Sequence, residues 1–380
     1  MALTRAFKNS IKYEQRAVPL VVNGDMAVAQ RSDSVTGLGD GDEGYVTVDR
    51  IRHTLDAGAG RFTSKQTAIT DLPGFSEALE LDCTTADTSI AADESFHIDY
   101  RMEGQDVQHF KKGHSDADYI TVGFYAKADA AITYTAGFID TDNSRQIRQQ
   151  FTTSTSWTHH VLAFAGDTST GDKLNDDNAE SLRFRITLHG GSDYTSGTLQ
   201  TTWADTVNAN SHVGGGSFFA STDRSFFLTG LQIEKGQYTS ETMPPFQYES
   251  YDANLKRCKR YFEECAGTGT GALIGQGFLS DGTSRAATMV SFNEKRATPT
   301  VTSSAVGTFT ASQGVQAGGA ATGFIVKAWS GSSGANSGGE AGLCHVHLDT
   351  SGHSSLTDGQ ICRIAQTDST TASITCESEL

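Results

Sequence analysis

Four stretches of this chain alternate apolar and polar residues. Residues 95–102 carry Phe96, Ile98, Tyr100 and Met102 at every second position, and residues 119–128 carry Ile120, Val122, Phe124 and Ala126. Residues 181–188 place Leu182, Phe184, Ile186 and Leu188 in the same pattern, and residues 225–236 place Phe227, Thr229, Leu231 and Ile233. A period of two sends successive side chains to opposite faces of an extended chain. Each stretch therefore reads as a strand buried on one face in an antiparallel sheet. The connections are polar and turn-rich, as in 37–44 (GLGDGDEG), 171–178 (GDKLNDDN) and 212–217 (HVGGGS). Many strands, long polar loops and almost no helix predict an all-β chain built on an antiparallel, jelly-roll-like β-sandwich.

Composition narrows the function. Of 380 residues, 29 are Lys or Arg and 45 are Asp or Glu, so the net charge is −16. Such a chain lacks the basic surplus that neutralises phosphates, which argues against nucleic acid as a partner. No run of about 18 apolar residues marks a membrane span. The first twenty residues hold no uninterrupted apolar core, so no secretory leader is expected. The 40 Gly, with abundant Ser and Thr, disfavour a coiled coil. None of the six cysteines forms a Cys-x-x-Cys pair; five lie after residue 257. Disulfides in the C-terminal third are one reading, and buried free thiols the plainer one.

Three regions follow. In residues 1–20, Leu3, Phe7 and Ile11 share one face of a short helix, a candidate docking arm. Residues 21–248 form the sandwich. Pro244 and Pro245 interrupt the strand pattern, and residues 249–380 read as a smaller Gly-rich β domain. At its start, 253–264 (ANLKRCKRYFEE) reads as a short helix or a strand entry, with Leu255, Cys258 and Phe262 on one helical face.

Several segments together resemble a group of bacteriophage virion proteins of the tail-fibre or structural kind. They are Asn23–Ser32 (NGDMAVAQRS), the segment ending at Arg50 (YVTVDR, with Ile51 where that group carries Trp), Thr121–Ala128 (TVGFYAKA) and Ser154–Phe164 (STSWTHHVLAF). The series continues with Leu174–Tyr194, Thr201–Asn210 (TTWADTVNAN), Phe226–Gly236 (FFLTGLQIEKG), Leu255–Glu264 and Glu294–Ser304 (EKRATPTVTSS). The resemblance implies a sandwich like a carbohydrate-binding module, a smaller β-rich domain after it, and assembly into a virion, often as a homotrimer. It makes the other virion proteins of tail or capsid, and a host surface glycan, the expected partners.

Candidate site residues are few. Trp157, Trp203 and Tyr194 could form a platform for sugar rings, which stack on aromatic faces; the plainer reading is core or inter-sheet packing, most of all for Trp157. Asp172, Asp176 and Asp177, with Asn178 and Glu180, form an acidic loop of the kind that supplies calcium with oxygen ligands, although their spacing is not that of an EF-hand. A solvated loop is the plainer reading. Asp40, Asp42 and Glu43 are a weaker case of the same kind. His345 and His347 alternate onto one strand face, and a threefold axis would bring six imidazoles together around a transition metal. Two outward polar residues are the alternative. His159 and His160 point to opposite faces and cannot chelate together. No Gly-x-Ser-x-Gly segment, phosphate loop or repeat of 20–50 residues occurs. The expectation is a non-enzymatic virion protein, a tail fibre or adhesin contributing to host attachment and needing no cofactor. A capsid decoration or head-fibre protein and a carbohydrate-active enzyme with a sugar-binding sandwich are the rivals.

Overall fold

The computed structural model describes residues 18–264, 273–281, 285–304, 309–313, 316–320, 323–327, 345–351, 361–366 and 373–380. The docking-arm residues Leu3, Phe7 and Ile11 lie outside this set. Two compact units are present, Met1–Leu255 with Leu380, and Lys256–Glu379.

The first unit holds β1 (Ser34–Leu38), β2 (Ile51–Asp56), β3 (Arg61–Ala68), β4 (Glu77–Thr85), β5 (Ser95–Glu103), α1 (Gly104–Val107), β6 (Ile120–Ala128), β7 (Thr133–Asp140), β8 (Arg145–Thr152), β9 (Thr158–Phe164), β10 (Glu180–Gly190), α2 (Ser192–Thr195), β11 (Ala204–Asp205) and β12 (Ser225–Lys235). They form two six-stranded sheets, in the orders β1-β3-β4-β12-β6-β9 and β11-β8-β7-β10-β5-β2. Every neighbouring pair of strands in both is antiparallel. From β4 to β7 the chain changes sheet at each step, which gives the sandwich its jelly-roll character.

Period two explains the core. Phe96, Ile98, Tyr100 and Met102 of β5, the four apolar positions of β6, and Leu182, Phe184, Ile186 and Leu188 of β10 are all buried in one cluster between the sheets. Aromatic rings interlock there edge to face. Phe124 meets Phe151 at 5.1 Å, Phe138 meets Phe164 at 5.2 Å and Tyr134 meets Phe226 at 5.8 Å. Such pairs add about 0.5–1.5 kcal/mol each beyond the area they bury.

In β12 the expected alternation is corrected. Phe226 and Leu228, not Phe227 and Thr229, enter the core together with Leu231 and Ile233. The register against β6 slips between Thr229 and Gln232. Gly230 stands in the slip at φ +64°, and a Cβ on it would meet Phe75 Cζ at 2.8 Å and Tyr125 Cδ2 at 2.9 Å. The bulge reverses the faces of the first half of the strand, so Phe227 projects outward.

The second unit follows α3 (Tyr251–Cys258). Its strands are β13 (Phe262–Glu264), β14 (Leu273–Asp281), β15 (Arg285–Ser291), β16 (Thr300–Ser303), β17 (Phe309–Gln313), β18 (Gln316–Ala320), β19 (Gly323–Lys327), β20 (His345–Ser351), β21 (Ile361–Gln366) and β22 (Ile374–Glu377). They pair as β13-β22-β16 and β18-β17-β21-β14-β15-β20-β19. Ile274, Val290, Phe292, Phe309, Ile364 and Ile374 centre the core of this unit. The segment 253–264 is both things it could be read as, because α3 ends at Cys258 and Phe262 opens a strand instead of continuing the helical face. Cys83, Cys258, Cys362 and Cys376 are buried, while Cys265 and Cys344 lie outside the described residues.

Candidate functional site

The outward side chains of the first sheet make an aromatic strip. Tyr125 of β6 stacks on His159 of β9 at 4.6 Å with 20° between the rings. Phe75, from the loop before β4, lies on Tyr125 at 5.4 Å. Phe246 and Tyr248, from the chain after β12, close on Phe75 at 5.1 and 5.5 Å. Tyr248 is 55% exposed. Further along the same face Trp157 meets Phe227 at 6.2 Å and 74°. The bulge in β12 is what turns Phe227 to this side.

Polar groups stand beside these rings. Lys127 Nζ lies 5.1 Å from the Trp157 centroid and 4.9 Å from that of Phe227. Asp71 accepts hydrogen bonds from Lys127 Nζ and Trp157 Nε1, both at 2.8 Å. The bond from Lys127, with that from Trp157, holds the Asp71 carboxyl below its ordinary range. The strip thus presents half-exposed ring faces next to a charged donor and a charged acceptor. That combination suits a sugar, whose C–H face stacks while its hydroxyls hydrogen-bond.

The outward side of the second sheet is different. In register, Arg52 of β2 stands beside Asp99 of β5, Arg185 of β10, Gly137 of β7 and Arg148 of β8. The row on one side runs Thr54, His97, Thr187, Thr135 and Gln150; the row on the other runs Arg101, Arg183, Ile139 and Gln146. Arg185 grips Asp99 through Nε at 2.7 Å and Nη2 at 2.8 Å. Burial pushes the Asp99 carboxyl up, but Arg185 and its cationic neighbours outweigh this and hold it well below the carboxylate range. The loop 191–217 covers the β7–β8 side of this face. Thr135 Oγ1 donates to the Ser211 carbonyl at 3.0 Å, and Gln146 Nε2 donates to the Val207 carbonyl at 3.0 Å.

The three aromatic residues singled out in the sequence do not form one platform. Trp157 belongs to the strip on the first sheet. Trp203 packs against the core, donates from Nε1 to the Ala165 carbonyl at 2.7 Å, and has Lys112 Nζ 5.0 Å over its ring. Tyr194 lies in α2, where its carbonyl accepts the His212 N–H at 2.9 Å. Trp203 and Tyr194 thus both sit in the loop that covers the second sheet.

The acidic loop is held by protein cations. Asp172 pairs with Arg145 Nε at 3.4 Å and its carbonyl accepts from Lys112 Nζ at 3.0 Å. Asp177 Oδ1 accepts the Ala179 N–H at 2.9 Å, and Glu180 pairs with Arg183 and Arg101. Among the described residues no group of three or more His, Cys, Asp or Glu is placed to hold a metal ion. Arg145 and Lys112 thus hold Asp172, while Asp177 is engaged by the Ala179 N–H. His345 and His347 lie in β20, opposite Ser291 and Met289 of β15; their side chains lie outside the described residues.

One constellation was not legible beforehand. His189 contacts Ser217 Oγ through Nδ1 at 2.8 Å and Glu94 Oε2 through Nε2 at 3.1 Å. It has the membership of a hydrolase triad, but Ser217 Oγ also accepts the Phe219 N–H and caps the turn Phe218–Ala220. His189 is fully buried, and burial lowers its pKa despite Glu94. The group ties β10, the loop before β5 and the loop before β12 together.

No protein-family model matches the chain, and no curated protein matches it. Solved structures give distant likenesses. The enzymatically active domain of tailspike protein 4 of bacteriophage CBA120 is 10% identical with a TM-score of 0.28, over 57% of this chain and 21% of that one. The chain thus spans about a fifth of that tailspike domain. A putative sugar binding protein from Bacteroides thetaiotaomicron is 10% identical with a TM-score of 0.30, over 57% of this chain and 100% of that one. The family 11 carbohydrate-binding module of a Clostridium thermocellum cellulosomal cellulase is 10% identical with a TM-score of 0.27, over 52% and 95%.

Proposed function

We propose that this chain is a non-enzymatic glycan-binding component of a bacteriophage particle, of the tail-fibre or adhesin type, that contributes to host attachment as a homotrimer. The observation that carries the reading is the half-exposed aromatic strip on the first sheet, with Trp157 and Phe227 beside Lys127 and Asp71. Tyr248 is exposed and the other rings are half-buried, and aromatic surface left partly in water on a sheet face marks a place of contact. Tyr125 and Phe227 stand on strands and Trp157 immediately precedes β9, pinned by its hydrogen bond to Asp71, so little order is lost when a sugar stacks on them. A single shallow platform binds weakly. Three copies in one particle would raise the effective affinity without any new contact. The order of short segments from Asn23 to Ser304 supports the virion setting.

The test is retention of the full chain on host surface polysaccharide. Trp157→Ala should cut retention about tenfold, the loss expected from one well-placed stacking ring. Unchanged retention with the fold intact would remove the aromatic strip as the site.

A further inference from the structure

The outer face of the second sheet holds more positive charge than its carboxylates use. Four guanidiniums, Arg101, Arg148, Arg183 and Arg185, gather around two carboxylates, Asp99 and Glu180. Arg52 is paired separately with Glu43 at 2.7 Å. The local balance is a surplus in a chain whose net charge is −16.

Each guanidinium has a different account. Arg185 and Asp99 satisfy one another at two points. Arg183 spans Glu180 Oε1 at 2.5 Å and Asp99 Oδ2 at 3.5 Å. Arg101 reaches Glu180 Oε2 at 3.1 Å and the main-chain oxygen of Leu380 at 2.9 Å. Arg148 has no carboxylate within bonding distance. Its Nε and Nη2 both use Gln146 Oε1, at 3.3 and 3.2 Å, and its Nη1 has no hydrogen-bond partner in the protein. Arg148 is 1% exposed. Its side chain leans across Gly137, where a Cβ would meet Arg148 Cδ at 2.8 Å, toward Arg185 in the next position of the row.

A buried cation without a counter-charge is costly. One arginine would serve to secure Asp99. The others repel each other, and burial, the largest influence, together with Arg185 and Arg183 outweighs the attraction of Asp99 and pulls Arg148 down to about 9. Strain of this kind persists where function requires it. An anion brought to the face would relieve it.

We propose that this face is a second glycan subsite that takes the carboxylate of an acidic saccharide, contacted by Arg183 and Arg185 and drawn in by the buried charge of Arg148. Arg183 and Arg185 retain 19% and 18% of their side-chain exposure, so a ligand reaches them from solvent. Planar guanidinium forks match a carboxylate in two-point geometry. The surplus is one focal group, not a stripe, which suits one carboxylate per sugar unit and not a phosphate backbone. The proposal rests on the glycan-binding reading for its ligand class, and uses a face that reading does not.

Calorimetric titration of the full chain with a matched pair tests it: a glucuronate-containing oligosaccharide and the same oligosaccharide with its carboxyl groups reduced to alcohols. The acidic form should bind at least about tenfold tighter at low salt, with the advantage shrinking as salt rises. Arg183→Gln and Arg148→Gln should each remove most of that advantage. Should Arg148→Gln fail to fold, Arg183→Gln at the rim and the salt dependence of the natural chain carry the test. Equal binding of the two forms would overturn the acidic subsite and leave the glycan reading standing. Binding of neither would overturn both. Equally tight binding of inorganic sulfate would overturn the carboxylate assignment, and of a short polyglutamate peptide, the saccharide assignment.

Discussion

Lys112 does for the loops of the first unit what a structural cation does elsewhere. Its ammonium group, 1% exposed, pairs with Asp140 and with Asp167 at 3.0 Å and donates to the Asp172 carbonyl at 3.0 Å. Burial pushes Asp167 up, yet Arg145 and Lys112 prevail and hold it at about 2. Lys112→Met would leave two buried carboxylates without this partner. The expected loss is about 3–5 kcal/mol, read as a lower midpoint in urea denaturation; an unchanged midpoint would show the pair to be dispensable. Neither this contact nor the Trp157–Asp71 hydrogen bond could be seen beforehand, because the partners are 28 to 86 residues apart. The residue types were visible as candidates. Trp203 packs against the core, the plainer of its two readings, with a satisfied N–H, whereas the pairing of Asp172 with Arg145 was not visible.

Among the elements, the strands with unbroken alternation were readable because only one register buries Phe96 to Met102, Ile120 to Ala126 and Leu182 to Leu188. In β12 the same rule misled, since the Thr-Gly-Leu step at Thr229–Leu231 looks like continued alternation while the bulge inserts a residue. Gly230 makes that step feasible. Gly230→Ala places a Cβ at φ +64° against Phe75 and Tyr125, and should cost about 1–3 kcal/mol. Because Phe227 faces the strip only by virtue of the bulge, the same variant should also weaken polysaccharide retention. A variant with unaltered melting temperature would contradict the strain assigned to this position. The cross-strand row from Arg52 to Arg148 was out of reach for another reason. Five residues from five strands meet only once both sheet order and register are fixed.

At the scale of the whole molecule, the pH response follows from burial. His53 and His212 are buried, and burial, their largest influence, lowers each to about 4. The unfolded chain takes up those protons near 6.5. Their stabilisation is therefore full above that pH and is lost as pH falls toward 4, by roughly 3 kcal/mol for a fully buried histidine shifted this far. His97 and His189 shift in the same direction. Urea midpoints should fall between pH 7 and pH 5, and a flat profile would contradict the neutral buried imidazoles. Light scattering at micromolar concentration tests the trimer, and antibody labelling of particles tests the tail position; a head-only signal would favour the decoration rival. The most direct test of the central claim uses the three tryptophans of the chain. Tryptophan emission is followed as a panel of oligosaccharides is titrated into the full chain. A saturable change that survives Trp203→Phe and disappears in Trp157→Phe is the predicted result. No change with any saccharide, or a change that follows Trp203 instead, would contradict it.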